Sequence, residues 1–502
     1  MSNGLPASPP ATVRGLIEQQ AADRPNAVYA LATESAHRLT YGELQSACGR
    51  VATLLKSQGL APGDTVSLVM PNGLGTLQLL LGALHGGWCV NPANLLSQPE
   101  QMRYVLDHSD TKLILASGEW VDKVRALTPR APVLAVDHET LQLPPQPSTT
   151  PEPHPEATGL LMYTSGTTGR PKGVMLTHAN LVANALSIGA EHVLTAADRV
   201  LGVLPLYHIN AFAVTMLAPL ASGGSVAMAP RFSAARFWPQ ALAAHCTWIN
   251  VVPTMVSYLI EGKDAPPREA LSAIRLARSA SAALPPEHLL AFEQRFGIGI
   301  IETMGLTETV APAFSNPLDP ALRKLGAVGR ASGCEARVID AALQPLPDGQ
   351  TGEIAIRGPN VMRGYYKNDE ATREAFTPDG WLRSGDLGHR DGDGFFFVTG
   401  RIKELIIKGG ENIAPREIDE ALLRHPAVLE AAAVGVPDKH YGQEILACVV
   451  LRPGEHADEA DIRAFCEQHL GRYKTPKLIR FVTELPRGPS GKVQRLRLLE
   501  SP

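Results

Sequence analysis

Residues 163–173 read YTSGTTGRPKG and are the most informative stretch of the sequence. The glycines of this stretch allow tight turns and let backbone amides approach an anion closely. Its hydroxyl side chains add hydrogen-bonding groups, and Lys172 adds a mobile cation. This combination predicts a cradle for a triphosphate. The candidate ligands in and beside the cradle are Thr164, Ser165, Gly166, Thr167, Thr168, Gly169 and Lys172.

The spacing of this stretch excludes the P-loop of kinases and ATPases. That loop requires GxxxxGK[ST], whereas Pro171 precedes Lys172 here and Gly173 follows it. An ordinary surface loop rich in glycine, serine and threonine is the alternative. The nucleotide site is favoured because the glycines, hydroxyls and cation lie between a predicted strand at 158–163 and a predicted helix at 178–191.

Outward from this stretch, apolar runs rich in valine, isoleucine and leucine alternate with helical patterns. Strands that alternate with helices predict an α/β fold with largely parallel sheets. A proline-rich stretch at 143–155 is predicted to be a surface loop. The predicted strands include 65–70, 112–116, 199–203 and 225–228, and the predicted helices include 41–58 and 74–85.

The last hundred residues form a different pattern, which predicts a compact α+β unit. We place its boundary near residue 400, which gives domains at 1–400 and 401–502. The predicted elements of the smaller unit are strands at 404–407, 428–436, 444–451 and 477–481 and helices at 415–424 and 458–469.

Composition limits the class of protein. The chain has 502 residues, 46 lysines and arginines against 50 acidic residues, and 44 % hydrophobic residues. The net charge of −4 argues against nucleic acid as a partner, and the apolar fraction excludes a mostly disordered chain. The N-terminus lacks a secretory pattern, the final Glu-Ser-Pro forms no peroxisomal address, and the apolar segment 74–90 is interrupted and short for a membrane span. We therefore expect a cytoplasmic protein without membrane insertion.

The cysteines indicate reduced thiols. They lie at positions 48, 89, 246, 334, 448 and 466, with no CxxC pair and no histidine at zinc-ligand spacing. This pattern favours buried thiols over a disulfide framework or a structural metal.

TSGTTGRPKG resembles the signature of the adenylate-forming enzymes, the ANL superfamily of acyl-CoA synthetases, peptide-synthetase adenylation domains and luciferases. The resemblance continues in order over nearly the whole chain. It implies a carboxylate that reacts with ATP to give acyl-AMP and pyrophosphate, followed by transfer of the acyl group to a thiol. It also implies a large N-terminal domain of layered sheets with a small β-barrel-like part, and a small mobile C-terminal domain.

A second motif, ETMGLTET at 302–309, would close the nucleotide site. By resemblance Thr307 donates to the α-phosphate and Glu308 holds Mg²⁺, a hard cation suited to a carboxylate. Glu302 and Met304 would line the nucleotide. Met304 departs from the family, since relatives usually have an aromatic residue that stacks on adenine.

Two further motifs continue the resemblance. In GWLRSGDLG at 380–388, Asp386 would accept the ribose hydroxyls, and Arg401 would also contact the ribose. Lys403 corresponds to the hinge about which the small domain rotates. Gly409 and Gly410 would line a narrow tunnel for the pantetheine arm of CoA.

Lys492, within PRGPSGKVQR at 486–495, matches the catalytic lysine of adenylation. Its ammonium would stabilise charge on the α-phosphate and orient the attacking carboxylate. The resemblance thus implies ATP, Mg²⁺ and CoA as ligands, and no covalent protein nucleophile. A chain of this size without a carrier domain favours CoA over a carrier protein, and we expect a monomer or homodimer.

The acid pocket is predicted from segments 204–212, 248–254 and 277–284. His208 resembles the residue that gates the acyl site, and Arg278-Ser279 resembles the Arg-Ser of oxalate–CoA ligases. Asn210 stands where an oxalate enzyme is expected to have histidine. An arginine with hydroxyls suits a small acid with a second negative group, with sulfoacetate and oxalate as leading candidates. A structural arginine is the alternative.

Other functions remain open at this point. The same motifs suit a medium-chain or aromatic acyl-CoA synthetase, transfer of the acyl group to a carrier protein, or oxidation of the adenylate as in luciferases. A catalytically silent binding protein would be expected to have lost motif residues, whereas Lys172, Glu308, Asp386, Arg401 and Lys492 are all present.

Overall fold

The computed structural model describes residues 9–164, 170–262, 265–487 and 493–500. Four of the predicted helices (41–58, 74–85, 178–191 and 415–424) begin and end within one residue of their predicted bounds, whereas the helix predicted at 458–469 continues to Lys474. The α-helices of these residues are α1 Val13–Asp23, α2 Tyr41–Ser57, α3 Leu74–His85, α4 Pro99–His108, α5 Trp120–Ala126, α6 His178–Glu191, α7 Ala218–Ser222, α8 Ala234–Ala243, α9 Pro253–Glu261, α10 Pro286–Phe296, α11 Asp369–Ala375, α12 Pro415–Leu423 and α13 Glu459–Lys474.

Helix starts follow local capping chemistry. Thr40 and Thr177 each accept a hydrogen bond from a backbone amide of the first turn, and the side chains of Glu43 and Asn180 accept one from the amide of the cap residue. Two threonine caps thus fix where α2 and α6 begin.

Among the described residues, none of the helices combines the length and the apolar character that a membrane crossing requires.

Strands occupy much of the remaining chain. Those of the described residues are β1 Val28–Ala32, β2 Arg38–Thr40, β3 Thr65–Val69, β4 Cys89–Pro92, β5 Thr111–Ala116, β6 Val133–Ala135, β7 Thr158–Thr164, β8 Lys172–Thr177, β9 Arg199–Gly202, β10 Ser225–Met228, β11 Trp248–Val251, β12 Leu276–Ser279, β13 Ile300–Leu306, β14 Ala311–Ser315, β15 Arg330–Ala331, β16 Glu335–Ile339, β17 Gly352–Arg357, β18 Gly364–Tyr365, β19 Leu382–Arg390, β20 Phe396–Arg401, β21 Ile406–Lys408, β22 Glu411–Ile413, β23 Val428–Asp438, β24 Gly442–Leu451 and β25 Leu478–Phe481.

Two large sheets have parallel centres, as predicted. One has the strand order β15-β14-β13-β12-β11-β9-β10-β1-β2, and the other has the order β18-β8-β7-β4-β3-β5-β6. In the first sheet, strands β13, β12, β11, β9, β10 and β1 run parallel to one another, whereas the pairings of β2, β14 and β15 at its two ends are antiparallel. One hydrophobic core joins both sheets and helices α1 to α3. The α/β prediction is confirmed.

A smaller antiparallel sheet, β16-β17-β19-β20, follows the two large ones and packs on its own apolar cluster. The chain then forms the sheet β22-β21-β24-β23, with β25 parallel to β24. Helices α12 and α13 contact one another beside this sheet, and its core is separate from the others. This is the predicted α+β unit. Strand β20 extends to Arg401, so the boundary at residue 400 stays a prediction.

Register places several polar residues at the carboxyl ends of parallel strands, where ligands bind in open α/β sheets. Asn250 of β11 pairs with Arg278 of β12, and Ser279 of β12 pairs with Glu302 of β13. Residues from two separate predicted motifs therefore meet on one edge of the sheet.

Candidate active site

The stretch at 163–173 connects two antiparallel strands. Thr164, the last residue of β7, pairs directly with Lys172, the first residue of β8. The sequence analysis missed β8 and treated the stretch as running from a strand towards a helix. Helix α6 follows only at His178. The candidate ligands Ser165, Gly166, Thr167, Thr168 and Gly169 lie outside the described residues, so their roles stay predictions.

Lys172 and Glu308 meet at a residue that the sequence analysis missed. The Tyr365 hydroxyl donates a hydrogen bond of 2.8 Å to Oε1 of Glu308, and Nζ of Lys172 lies 4.9 Å from the centre of the Tyr365 ring. Burial, and then the negative charge of Glu308, raise the pKa of the Tyr365 phenol, which keeps the hydroxyl a donor. The available sequence signal was the pair of tyrosines that follows Gly364 in the run GYYK at 364–367.

Thr307 and Glu308 lie in a single 3₁₀ turn, Thr307–Thr309, directly after β13. The next two residues, Val310 and Ala311, have φ angles of 58° and 75°, which is costly for residues with a side chain. A Cβ atom on Gly305 would lie 1.8 Å from the carbonyl oxygen of Ala311. The backbone is therefore held in an unusual path where the motif ETMGLTET was predicted to close the nucleotide site.

Glu302 and Met304 differ in their surroundings. Glu302 is buried and accepts a hydrogen bond from the amide of Leu284 at 3.3 Å. Burial raises the pKa of Glu302 to about 7, although the positive charge of Arg416 acts in the opposite direction. Met304 is half-buried and packs against the apolar cluster of the small antiparallel sheet. Contact of either residue with a nucleotide stays a prediction.

Asp386 and Arg401 are brought together, as predicted for a ribose site. They pair across the antiparallel strands β19 and β20, and Nε of Arg401 lies 2.8 Å from Oδ1 of Asp386. The Asp386 side chain is 4 % exposed and that of Arg401 40 %. The carboxylate is thus held in place by a cation that still reaches solvent. Assignment of this pair to the ribose stays a prediction.

The hinge and tunnel candidates follow closely along the chain. Lys403 lies in the exposed 3₁₀ turn Ile402–Glu404. Gly409 and Gly410 form the two-residue turn between β21 and β22, with φ angles of 57° and 88°. This geometry alone favours glycine at both positions. A Cβ atom on Gly409 would lie 2.8 Å from the Tyr473 hydroxyl, whereas a Cβ atom on Gly410 would meet open space.

The acid-pocket candidates form a connected polar cluster. Nη1 of Arg278 donates to Oδ1 of Asn210 at 2.6 Å and to Oδ1 of Asn250 at 2.8 Å. Nδ2 of Asn210 donates to the Ser281 hydroxyl at 3.3 Å. The Ser279 hydroxyl and Nε of Arg278 are buried, and neither has a hydrogen-bond partner among the described residues. The cluster therefore retains unused polar groups beside a buried cation.

Arg278 is 1 % exposed, and no carboxylate of the described residues lies within ion-pair distance of it. Desolvation lowers the pKa of its guanidinium to about 9. Asn250 was included only within a predicted pocket segment. An asparagine inside the apolar strand WINV was the signal that could have singled it out.

His208 is half-buried, and its ring lies 4.8 Å from that of Tyr207. The carbonyl of His208 accepts a hydrogen bond from the amide of Phe212 at 2.9 Å. His208 lies two residues before a π-helix, Asn210–Leu217, a rare form that is common at functional sites. The π-helix places Asn210 in its first turn, next to Arg278. The role of His208 as a gate stays a prediction.

Lys492 lies outside the described residues, and its catalytic role stays a prediction. Arg487 and Val493, which are the described residues on either side of 488–492, form an antiparallel bridge. Arg495 is bound to Asp419 of α12 and to Glu404 of the hinge turn. The chain that follows the predicted lysine is therefore anchored to the small unit and to the turn that contains Lys403.

Comparison with known proteins gives the same assignment along the whole chain. A family profile described as AMP-binding enzyme matches residues 17–366, and one described as AMP-binding enzyme C-terminal domain matches 417–492. The sulfoacetate–CoA ligase of Cupriavidus necator is 57 % identical over 498 residues, which cover 97 % of each chain. The oxalate–CoA ligase of Arabidopsis thaliana is 36 % identical, over 96 % of this chain and 97 % of that protein.

The fold comparison agrees with these matches. The crystal structure of ATP-bound MatB from Rhodopseudomonas palustris superposes with a TM-score of 0.91 at 31 % identity, over 97 % of this chain and 98 % of that one. The relatives are named as CoA ligases, and the motifs at 163–173 and 302–309 lie within the range that the AMP-binding profile matches. This chain belongs to the AMP-binding enzyme family and is an AMP-forming acid–CoA ligase.

Proposed function

We propose that the acid activated by this enzyme is short and carries a second negative group, with sulfoacetate as the first candidate. The observation that carries this proposal is Arg278, a buried guanidinium that, within the described part of the chain, binds only the neutral oxygens of Asn210 and Asn250. A buried charge without an opposite charge is costly. A second anionic group on the acid would supply the missing charge.

The polar groups around Arg278 suit a sulfonate. Nε of Arg278 and the hydroxyl of Ser279 are donors without a partner among the described residues. A sulfonate has three acceptor oxygens, and charge-assisted hydrogen bonds to such oxygens are stronger than neutral ones. The 57 % identical relative named as a sulfoacetate–CoA ligase supports this choice over oxalate. Asn210, where an oxalate enzyme was expected to have histidine, supports it too.

The reaction follows from the family. A carboxylate oxygen of the acid bonds to the α-phosphorus of ATP while the bond to pyrophosphate breaks. The CoA sulfur then bonds to the acyl carbon, AMP leaves, and the thiol proton is released. We assign the phosphates to Lys172 and Thr307, the ribose to Asp386 and Arg401, and charge stabilisation during adenylation to Lys492, which the small unit would remove before the thiol reacts.

The residues around Glu308 fit a magnesium ion. The carboxylate is half-buried, and its Oε1 already accepts the Tyr365 hydroxyl at 2.8 Å. Oxygen ligands of this kind are those that Mg²⁺ binds, usually with substrate phosphates as further ligands. When bound, Mg²⁺ would neutralise charge on the departing pyrophosphate.

We assign the tunnel for CoA to the turn at Gly409 and Gly410. We expect the enzyme to be cytoplasmic and to be a monomer or a homodimer.

A panel of acids tests the proposed specificity. Pyrophosphate release is measured with ATP, Mg²⁺ and CoA for sulfoacetate, oxalate, malonate, acetate, octanoate and benzoate. We expect the highest kcat/KM with sulfoacetate, because only an acid with a second anion can pair with Arg278. Acetate is the matched control, since it lacks that group. Faster turnover of octanoate or benzoate than of every short dianion would refute the proposal.

A further inference from the structure

Tyr365 joins two parts of the active site that are far apart in the sequence. Its hydroxyl donates to Glu308, which lies on the turn after β13. Its ring faces the ammonium of Lys172, the first residue of β8, at 4.9 Å. One side chain therefore contacts both the predicted metal ligand and the predicted phosphate-binding cation.

The backbone around Tyr365 is fixed on both sides. Strand β18 pairs antiparallel with β8, so that Tyr365 lies opposite Val174. The amide of Met362 donates to the carbonyl of Glu308 at 2.8 Å, and the amide of Tyr365 donates to the Thr372 hydroxyl at 2.9 Å. Because the segment is tied to both neighbours, the position of the Tyr365 ring is set by the fold.

Each contact has a definite physical effect. A hydrogen bond to Oε1 of Glu308 restricts the rotation of the carboxylate and does not use Oε2, which is available as a ligand for a cation. Ligating carboxylates are commonly oriented by such bonds, and loss of the partner typically weakens metal binding about 10–100-fold. The ring face attracts the Lys172 ammonium over a distance of 4.9 Å. The ring thereby restricts the position of the ammonium.

We propose that Tyr365 is a positioning residue for the metal–triphosphate site, through its hydroxyl on Glu308 and its ring on Lys172. The proposal rests on the proposed assignment of Glu308 to Mg²⁺ and of Lys172 to the phosphates. It adds a third residue, from a different segment, which aligns the other two.

The test separates the two contacts of this side chain. Tyr365→Phe keeps the ring and removes the hydroxyl, whereas Tyr365→Leu removes both. Binding of Mn²⁺ in the presence of a non-hydrolysable ATP analogue is measured by electron paramagnetic resonance. We expect Tyr365→Phe to raise the Mn²⁺ dissociation constant about 10–100-fold. We also expect Tyr365→Leu to weaken binding of the analogue itself, measured without metal, since Lys172 loses its support.

Tyr366 provides a matched control. Its hydroxyl donates to Asp110 at 2.8 Å, so Tyr366→Phe removes the same kind of bond one residue further along, on the surface. Formation of acyl-CoA from supplied acyl-AMP is the second control, because that step needs no triphosphate. We expect normal Mn²⁺ binding in Tyr366→Phe, and normal acyl-CoA formation from acyl-AMP in Tyr365→Phe.

The results distinguish two failures. If Glu308→Gln weakens Mn²⁺ binding and Tyr365→Phe does not, the role of Tyr365 is refuted and the metal assignment stands. If Glu308→Gln also binds Mn²⁺ normally, the metal assignment itself is refuted. Equal losses in Mn²⁺ binding and in acyl-CoA formation from acyl-AMP would show that Tyr365 is only structural, and would overturn the inference.

Discussion

The large unit and the small unit each enclose an arginine, and the two arginines differ in the charge of the groups that surround them. Arg278 is 1 % exposed and, among the residues that the structure describes, donates only to the neutral oxygens of Asn210 and Asn250. Arg495 has a 17 % exposed side chain and lies against the carboxylates of Asp419 and Glu404. Burial alone would lower the pKa of either arginine, and it lowers that of Arg278. At Arg495 the neighbouring carboxylates outweigh burial and raise the pKa.

The presence or absence of a neighbouring carboxylate distinguishes a structural cation from one that can bind a ligand. A buried cation with its own carboxylate is complete, and its removal harms the fold. A buried cation bound only to neutral groups lacks an opposite charge, and a substrate can supply it. We therefore expect the two arginines to differ in which measurement responds to their loss.

The largest effect is expected at the structural arginine. Arg495→Met leaves the buried Asp419 carboxylate without its cation and removes a bond to the carbonyl of Ala433. We expect the free energy of unfolding to fall by about 3–5 kcal/mol. Urea denaturation followed by circular dichroism measures this change. Arg125→Met is the control, since Arg125 and Asp122 form an exposed pair, and such pairs contribute about 1 kcal/mol or less.

An unchanged unfolding curve for Arg495→Met would show that Arg495 is not a structural cation. The double variant Arg495→Met with Asp419→Asn tests the cause of the loss, because it leaves no unpaired carboxylate at position 419. We expect the double variant to recover part of the stability that the single variant loses.

The next effect is expected in catalysis. Arg278→Met removes the cation proposed to pair with the second anion of the acid. Loss of one partner from a buried charged contact costs about 2–5 kcal/mol, equivalent to about 30- to 5,000-fold in kcat/KM for sulfoacetate. Stability should change less, because removing an uncompensated charge offsets the bonds lost at Asn210 and Asn250. Steady-state kinetics and a melting curve on the same sample measure both.

Asn250→Asp sharpens this prediction by giving Arg278 a carboxylate of its own. Oδ1 of Asn250 lies 2.8 Å from Nη1 of Arg278, so the substituted carboxylate would pair with the guanidinium. We expect a higher KM for sulfoacetate and a melting temperature at or above that of the wild type. Asn250→Ser, which adds no charge, is the control. A melting temperature that falls in Arg278→Met without loss of kcat/KM would mean that Arg278 is structural.

Local patterns predicted most of the fold, and the site less completely. Helices α2 and α6 were predicted from periodicity, because each has an apolar face and a capped start. Helix α3, which is buried on nearly all sides, was predicted from its apolar run. Strand β8 was missed because KGVMLT follows a glycine-rich stretch that suggested a helix start. Asp386 and Arg401 were predicted by resemblance, and the structure adds that strand register brings them together.

The contacts that the sequence analysis missed join distant segments. Tyr365 meets Glu308 across 57 positions of the chain, and Arg495 meets Asp419 across 76. No local spacing encodes such pairs, since they depend on how separately folded elements pack. The electrostatics of Arg278 were inaccessible for the same reason, because the absence of a nearby carboxylate is a property of the packed structure.

The smallest effect is expected at Glu302, a carboxyl buried without an ion-pair partner among the described residues. Burial raises the pKa of Glu302 from 4.5 to about 7, so the folded protein binds a proton there more tightly than the unfolded chain does. The resulting stability is complete below the unfolded value and is lost as the pH rises through about 7. Glu302→Gln stays neutral and should not show this loss.

Urea denaturation of both proteins between pH 4 and pH 8 measures the difference. We expect Glu302→Gln to gain about 1–3 kcal/mol relative to the wild type over this range, with most of the gain between pH 5 and pH 7. Glu43→Gln, at an exposed helix cap, is the control for loss of a carboxylate. If the difference in free energy of unfolding between the two proteins stays constant from pH 4 to pH 8, Glu302 is ionised in the folded state. A compensating cation would then be required, and Arg416 of α12, whose charge already lowers the pKa of Glu302, is the residue to replace next.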